Sequence, residues 1–579
     1  AEYQGVKREA QLWKPKTYGE LWDAYQKTWE LLYGKIKILT RDEQDQAVDV
    51  LLDNSRGLSR IPKLTDMIIT NITELSTKPY GNKEKILERV VAILHYDGKE
   101  LQAETKQKWE KLRDDLVGSD FSSLMRRYVG MDLLEDSFDE DGNRVDKVDV
   151  PIKKLAEQAV GDPKLLKPEL DWLVTHEAKS GYRFGNELGQ QDKDFSLLPM
   201  LLNTQRKVSR QPNSSDYFIG GYLRVLFEKD KEKWEALLDD LTKDEKLASW
   251  VSDLTWRSGM SDRAALRVLE LAKKKVITVG HFRVFGLGSV IRDLSEDIFK
   301  KWIDFLLECP EEHAVSIALD LYQFFYLRKE SKHKLPENLT LKLLTHPSLF
   351  KKLSEGRRNQ MDDFHWKEIG NKFIELYPGK SLPLAEVILE HLGEDGSILE
   401  EYHSQTQEVI DEIARRYPSE VWDIVAKYLG PPIDSRAFHI KEWLRGSEHS
   451  SAGVSGALAF FPPEKVWEWV DADIKKRAWY VAYFVPKILF RQEGKVCWAR
   501  EVLAKYGDRD DVRKEMGSNF YTEGWSGPAS QHYQQKKEQL VSFKESEENE
   551  NVKRWLDEMI DSLDKQIEHE KIQEERRGF

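Results

Sequence analysis

Cysteine is nearly missing from this chain: Cys309 and Cys497 are the only two in 579 residues. Two distant thiols exclude a disulfide framework and a cysteine-based zinc site, and each is expected to be buried and reduced. Long apolar runs are missing as well. No stretch approaches the ~18 apolar residues that a membrane-spanning helix needs, and the opening AEYQGVKREAQLW has no apolar signal core. The chain therefore reads as a soluble, cytoplasmic protein with no membrane role. An excess of basic residues is also lacking. The net charge of −13 weighs against a generic nucleic-acid coat and leaves room only for a local basic face. The first residue is alanine, not methionine, which suggests a processed protein or a piece of a longer polypeptide.

Familiar catalytic signatures are equally scarce. No GxxxxGK[ST] phosphate loop occurs, and FGLGSV (Phe285 to Val290) lacks both a third glycine and a preceding strand, so a dinucleotide fold is rejected. Ser455 in GVSG and Ser526 in WSGP each miss the nucleophile-elbow pattern. DSFDEDGNRVD resembles a calcium loop in spacing, but it puts Ser137 at the first position and Val148 at the twelfth, where carboxylates must anchor the ion. The 13 histidines form no HxxxH or HExxH pair. Basic clusters are few, at Arg126-Arg127, Lys273 to Lys275 and Lys536-Lys537; the three lysines before VITVGHFRVF read as a solvated helix end. No cofactor and no metal is expected, and a non-catalytic role is favoured over an enzyme.

What the chain does have is aromatic mass and helical periodicity. Apolar residues make up 40% of it and tryptophan alone contributes 18, which is enough for extended burial. They recur at spacings of three and four, as in Leu21, Tyr25, Trp29 and Leu32, while alternating strand patterns are scarce. An all-α protein follows. A fixed period sharpens this. Breakers followed by an amphipathic helix fall at Ser295, Pro336, Pro378, Pro418, Pro462, Gly507 and Glu550, at intervals of 41, 42, 40, 44, 45 and 43 residues. Three of them carry an aromatic–proline pair: Tyr377-Pro378, Tyr417-Pro418 and Phe461-Pro462. Proline fits the first helical turn, where no N–H is needed, and it stops the preceding helix. The aromatic can close that helix end against the next one. A helix pair of this length cannot bury its own stripe and must stack on its neighbours, which is a HEAT/armadillo-like α-solenoid.

The domain plan that follows has five parts: an N-terminal helical region over 1–134, an acidic loop or linker over 135–150, and irregular helical repeats over 151–290. HEAT-like repeats then occupy 291–541 and a terminal capping helix 542–579. The cap is drawn on one narrow stripe, Val552, Trp555, Met559, Leu563 and Ile567, with charge on its other faces.

The closing stretches GSNFYTEGWSGPASQHYQQKKEQL and NVKRWLDEMIDSLDKQIEHEKIQEERRGF resemble the C-terminal end of HEAT-like arrays in large bacterial multidomain proteins. WSGPxSxH and the helix from NVKRW to EERR carry the resemblance, over about sixty residues. Such arrays often follow an effector or nucleotide-binding module in antiviral defence proteins, including STAND-type NTPases. The resemblance implies a scaffold or sensor whose partner is a protein or another module of the same polypeptide. Nothing here matches the NTPase or nuclease motifs. Exposed aromatics would anchor the partner, and the candidates are Trp498, Tyr521, Trp525, His532 and Tyr533. The repeat register also lets Gly524, Gly527 and Pro528 be a helix break with Trp525 plugging the last interface. The competing reading is a HEAT-like nucleic-acid binder or base-modifying enzyme, which would need a basic stripe with an aromatic and a carboxylate facing a flipped base.

Overall fold

In the computed structural model the described residues are 15–131, 136–138, 144–146, 148–329, 331–351, 360–393, 404–430, 433–446, 456–486, 496–518 and 526–577. Among them are 29 α-helices and one two-stranded hairpin, so the chain is all-α in architecture. The hairpin lies in the acidic stretch read as a loop: Asp136–Phe138 pairs antiparallel with Arg144–Asp146, Ser137 opposite Val145. Strands of three residues are too short to display an alternating pattern, which is why periodicity did not reveal them.

The helices divide into two compact units, residues 1–281 and 282–579. Within each, a helix packs on its sequence neighbour and again on the helix two places on. In the first unit Arg41–Ser59 meets Pro62–Leu75 and Lys83–Asp97, and Tyr217–Lys229 lies between Gly181–Gln191 and Val251–Ser258. In the second, Gln360–Leu376 meets Ser404–Arg416, Leu382–His391 meets Pro418–Tyr428, and Ile474–Phe484 lies between Ser435–Arg445 and Asp510–Ser518. Two rows of helices, each touching its predecessor one repeat back, make an α-solenoid.

Each breaker of the second unit begins or shortly precedes a helix: Glu296–Glu308, Glu337–Leu344, Leu382–His391, Pro418–Tyr428, Pro463–Asp471, Asp510–Ser518 and Glu550–Arg577. The aromatics before proline reach across repeats. The Tyr377 hydroxyl donates to the Leu335 carbonyl at 2.6 Å, and Phe461 packs against Trp422 and Trp443 at ring distances of 5.4 and 5.8 Å. Polar pairs repeat at the same step: Lys342–Asp304, Lys427–Glu386, Lys465–Asp423, and Trp555 Nε1 donating to the Arg513 carbonyl.

The first unit also repeats, with steps that its sequence does not display. Helices starting at 41 and 83, and at 62 and 103, are one HEAT-length step apart. Farther on, starts at 198, 231 and 262 give steps of only 33 and 31, and starts at 181, 217 and 251 give 36 and 34. Two of these helices, Lys231–Leu241 and Asp262–Lys273, are capped by Asp230 and Ser261, whose side chains accept from backbone N–H groups, and none is opened by an aromatic–proline pair. At the other end, Ala529–Ser546 crosses the 541/542 boundary and pairs with the final helix Glu550–Arg577. The five residues of the final helix's stripe are all buried.

Candidate binding surface

Of the five residues expected to anchor a partner, two are buried. Trp498 is buried, its ring tilted against that of Trp467 at 5.3 Å, and Tyr533 is buried on Ala529–Ser546. Both fall on the packed side of their helices, so neither is an exposed anchor. His532 is half-buried, its ring 5.6 Å from that of Tyr533. Tyr521 and Trp525 lie outside the described residues. The cysteines are half-buried rather than buried, and burial pushes the Cys497 thiol up. Lys273 to Lys275 are exposed. Among the described residues no group of three or more His, Cys, Asp or Glu could hold a metal ion, and no helix is long and apolar enough to cross a membrane.

Two features of the second unit stand open to solvent instead. The first is a groove of about 380 Å³ lined by Asn371 and by Glu408, Asp411, Glu412, Arg415 and Arg416 of the next helix in the row. Asp411 accepts from Trp443 Nε1 at 2.7 Å, and the Arg415 guanidinium lies 3.7 Å from its other oxygen, stacked 4.6 Å over the Phe460 ring. Burial raises the Asp411 carboxyl above the ordinary carboxylate range, against the lowering effect of Trp443 and Arg415. The other charges are matched locally, Lys367 with Glu408 at 3.2 Å and Arg416 with Glu412 at 2.7 Å. A desolvated carboxylate beside an arginine can bind or exchange a proton, but its partners here are those of a repeat interface.

The second feature joins Ser435–Arg445 and Ile474–Phe484, adjacent helices in one row. Phe438, Lys441 and Arg445 fall on one stripe of the first, and Lys475, Trp479 and Tyr483 on one stripe of the second, at spacings of three and four. The Lys441 ammonium sits 4.5 Å from the Phe438 ring and 4.6 Å from the Tyr483 ring, and it donates to the Tyr483 hydroxyl at 3.4 Å. Trp479 and Tyr483 stack 5.7 Å apart at 12°. Phe438 is 45% exposed, Trp479 and Tyr483 are half-buried, and Lys441 between the rings is buried. Sequence reasoning missed this surface. The four-residue spacing of Lys475, Trp479 and Tyr483 was there to be seen, but which stripe faces solvent was not.

A similar picture of charge emerges from counting. These two helices carry Arg436, Lys441, Arg445, Lys475, Lys476 and Arg477 against Glu442 alone, a net +5 with His439 neutral. The preceding helix of the row, Ser404–Arg416, and the following one, Asp510–Ser518, each carry three acidic and two basic residues.

No protein-family model matches this chain, and no curated protein matches it. Among solved structures it is similar to a circular tandem repeat protein with novel repeat topology and enhanced subunit contact surfaces, at 13% identity over 97% of this chain and 99% of that one. The TM-score is 0.14, so the architecture rests on the helix stacking described above.

Proposed function

We propose that this chain is a non-catalytic α-solenoid scaffold or sensor that binds a macromolecular partner, a protein or another module of a longer polypeptide, in a bacterial defence or regulatory complex. The observation that carries the reading is the cluster of aromatic and basic side chains on two adjacent repeat helices, in which Phe438 is exposed, Trp479 and Tyr483 are half-buried, and Lys441 is packed against the Phe438 and Tyr483 rings. Tryptophan, tyrosine and arginine are the residues that concentrate binding energy at protein interfaces, and stacked helix pairs offer long surfaces for such contacts. The defence setting is drawn from the closing stretches that resemble the ends of STAND-type arrays. A cytoplasmic location accompanies that setting.

The test is affinity purification of the full chain from its native host with mass spectrometry. Recovery of a stoichiometric protein partner supports the scaffold, and recovery of the chain alone counts against it. Binding of labelled DNA and RNA at low and high salt is the companion measurement. Tight binding that falls steeply with salt would replace the protein partner with a nucleic acid.

A further inference from the structure

We infer that the surface formed by Ser435–Arg445 and Ile474–Phe484 docks an acidic segment of a protein partner, with carboxylates near Lys475 and Lys476 and an apolar side chain against Phe438. The inference rests on the scaffold reading above and adds the partner's chemistry. Charge complementarity is the first ground. A chain of net charge −13 places +5 on these two helices, while the helices before and after them in the row are mildly acidic. Lys475 and Lys476 are exposed, Lys476 making only a 3.7 Å contact with Asp473. Lys441 shares its charge with Glu442 at 2.9 Å, and the Arg477 guanidinium donates to the Trp469 carbonyl at 2.7 Å. The two lysines at the start of Ile474–Phe484 are therefore the cations best placed to meet a ligand.

Ring packing is the second ground. Single-stranded nucleic acid binds by laying bases on open aromatic faces. Tyr483 stacks on the Trp479 ring and also lies under the Lys441 ammonium. The stack covers one face of each of these two rings, so neither offers two free faces to a base. The Tyr483 hydroxyl accepts from Lys441 and keeps its own proton to donate to a carboxylate. Phe438, 45% exposed, adds a site for an apolar side chain.

The experiment uses the full chain and a fluorescein-labelled peptide of alternating Asp, Glu and Phe. A Lys/Phe peptide of equal length and a thymidine oligonucleotide serve as comparison probes. The wild type is expected to bind the acidic peptide and not the basic one. Lys475→Glu with Lys476→Glu, and separately Phe438→Ala, should each weaken the acidic peptide about tenfold or more. Lys475→Arg with Lys476→Arg should preserve binding, and unchanged circular-dichroism melting shows that all variants fold. An acidic peptide that fails to bind the wild type, or binds the charge-reversed variant equally well, overturns the inference. An oligonucleotide bound more tightly than the peptide, and lost in the same variants, overturns it in favour of nucleic acid. The two readings fail separately. Partners captured from the host equally by wild type and by the charge-reversed variant leave the scaffold standing and remove this surface. Absence of any captured partner removes the scaffold reading, while peptide affinity still decides the surface.

Discussion

The two units stack their helices by different means. In the later part of the first unit, glycine brings backbones together. A Cβ on Gly185 would lie 2.0 Å from the Phe218 carbonyl oxygen, and one on Gly221 would lie 1.9 Å from that of Tyr182. In the second unit large aromatics fill the gap between repeats, with Trp302, Trp366, Trp422, Trp443 and Trp555 all fully buried. Gly370 on Gln360–Leu376 has only ordinary contact there, Val409 at 3.5 Å. Short steps of 31 to 36 residues accompany the glycine packing, and steps of 40 to 45 accompany the aromatic packing. A solenoid can thus be held by close approach or by bulk, and only bulk leaves a strong mark on composition.

The largest expected effects come from removing each device. Trp422→Ala should cost about 3–5 kcal/mol, because a fully buried indole leaves a cavity between Pro418–Tyr428 and its neighbours. Gly221→Ala should cost about 3 kcal/mol through overpacking against backbone that cannot rotate away. Native-state hydrogen exchange resolves both, each loss of protection appearing in the unit that carries the substitution. Gly370→Ala is the control and should gain up to about 1 kcal/mol, since alanine is the better helix former and its Cβ has room. If Gly221→Ala proved as harmless, the contrast between the units would collapse.

A smaller effect follows from two carboxylates with opposite pH dependence. Burial works to raise the Asp192 carboxyl of the first unit, but hydrogen bonds from Tyr222, Leu197 and Ser196 outweigh it and hold the group below its ordinary value. Its stabilisation is complete above the ordinary carboxylate pKa of about 3.9 and is lost as pH falls below it. Asp411 of the second unit is raised by burial, so its folded form gains as pH falls from neutral toward that ordinary value. Asp192→Asn should cost about 2 kcal/mol at neutral pH, because its amide cannot accept from every donor now facing the carboxylate. Asp411→Asn keeps an acceptor for Trp443 Nε1 and should abolish that gain on acidification. Exchange protection of Gly181–Gln191 and Ser404–Arg416 against pH, corrected for intrinsic rates, reads both. The smallest effect belongs to the ion-pair ladder. Lys465→Ala breaks the 2.9 Å contact with Asp423 at the surface and should leave the melting temperature within error.

Legibility was uneven for physical reasons. Proline at a helix start, the aromatic before it and a stripe at three- and four-residue spacing are local signals, so the repeat from Ser295 to Glu550 could be read directly. The first unit's repeats use Asp and Ser caps and glycine contacts, which are common elsewhere and carry no visible period. Exposure was the least legible property, because crowding of aromatics in sequence says nothing about which of them a neighbouring repeat will cover. Trp498 and Tyr533 were covered, and the exposed Phe438 lies 60 residues before the first and 95 before the second.

The sequence by itself determined the helical class, the step of the second unit and the stripe that the final helix buries, since all three follow from the chain's own periodicity. Only the tertiary structure decided that Lys441 meets Tyr483 one repeat on, that Tyr182 and Gly221 touch through the backbone, and that the partly buried Asp411 accepts from Trp443 of a neighbouring helix. Those contacts join residues about 30 to 45 positions apart, and their register is set by how one helix pair seats on the next.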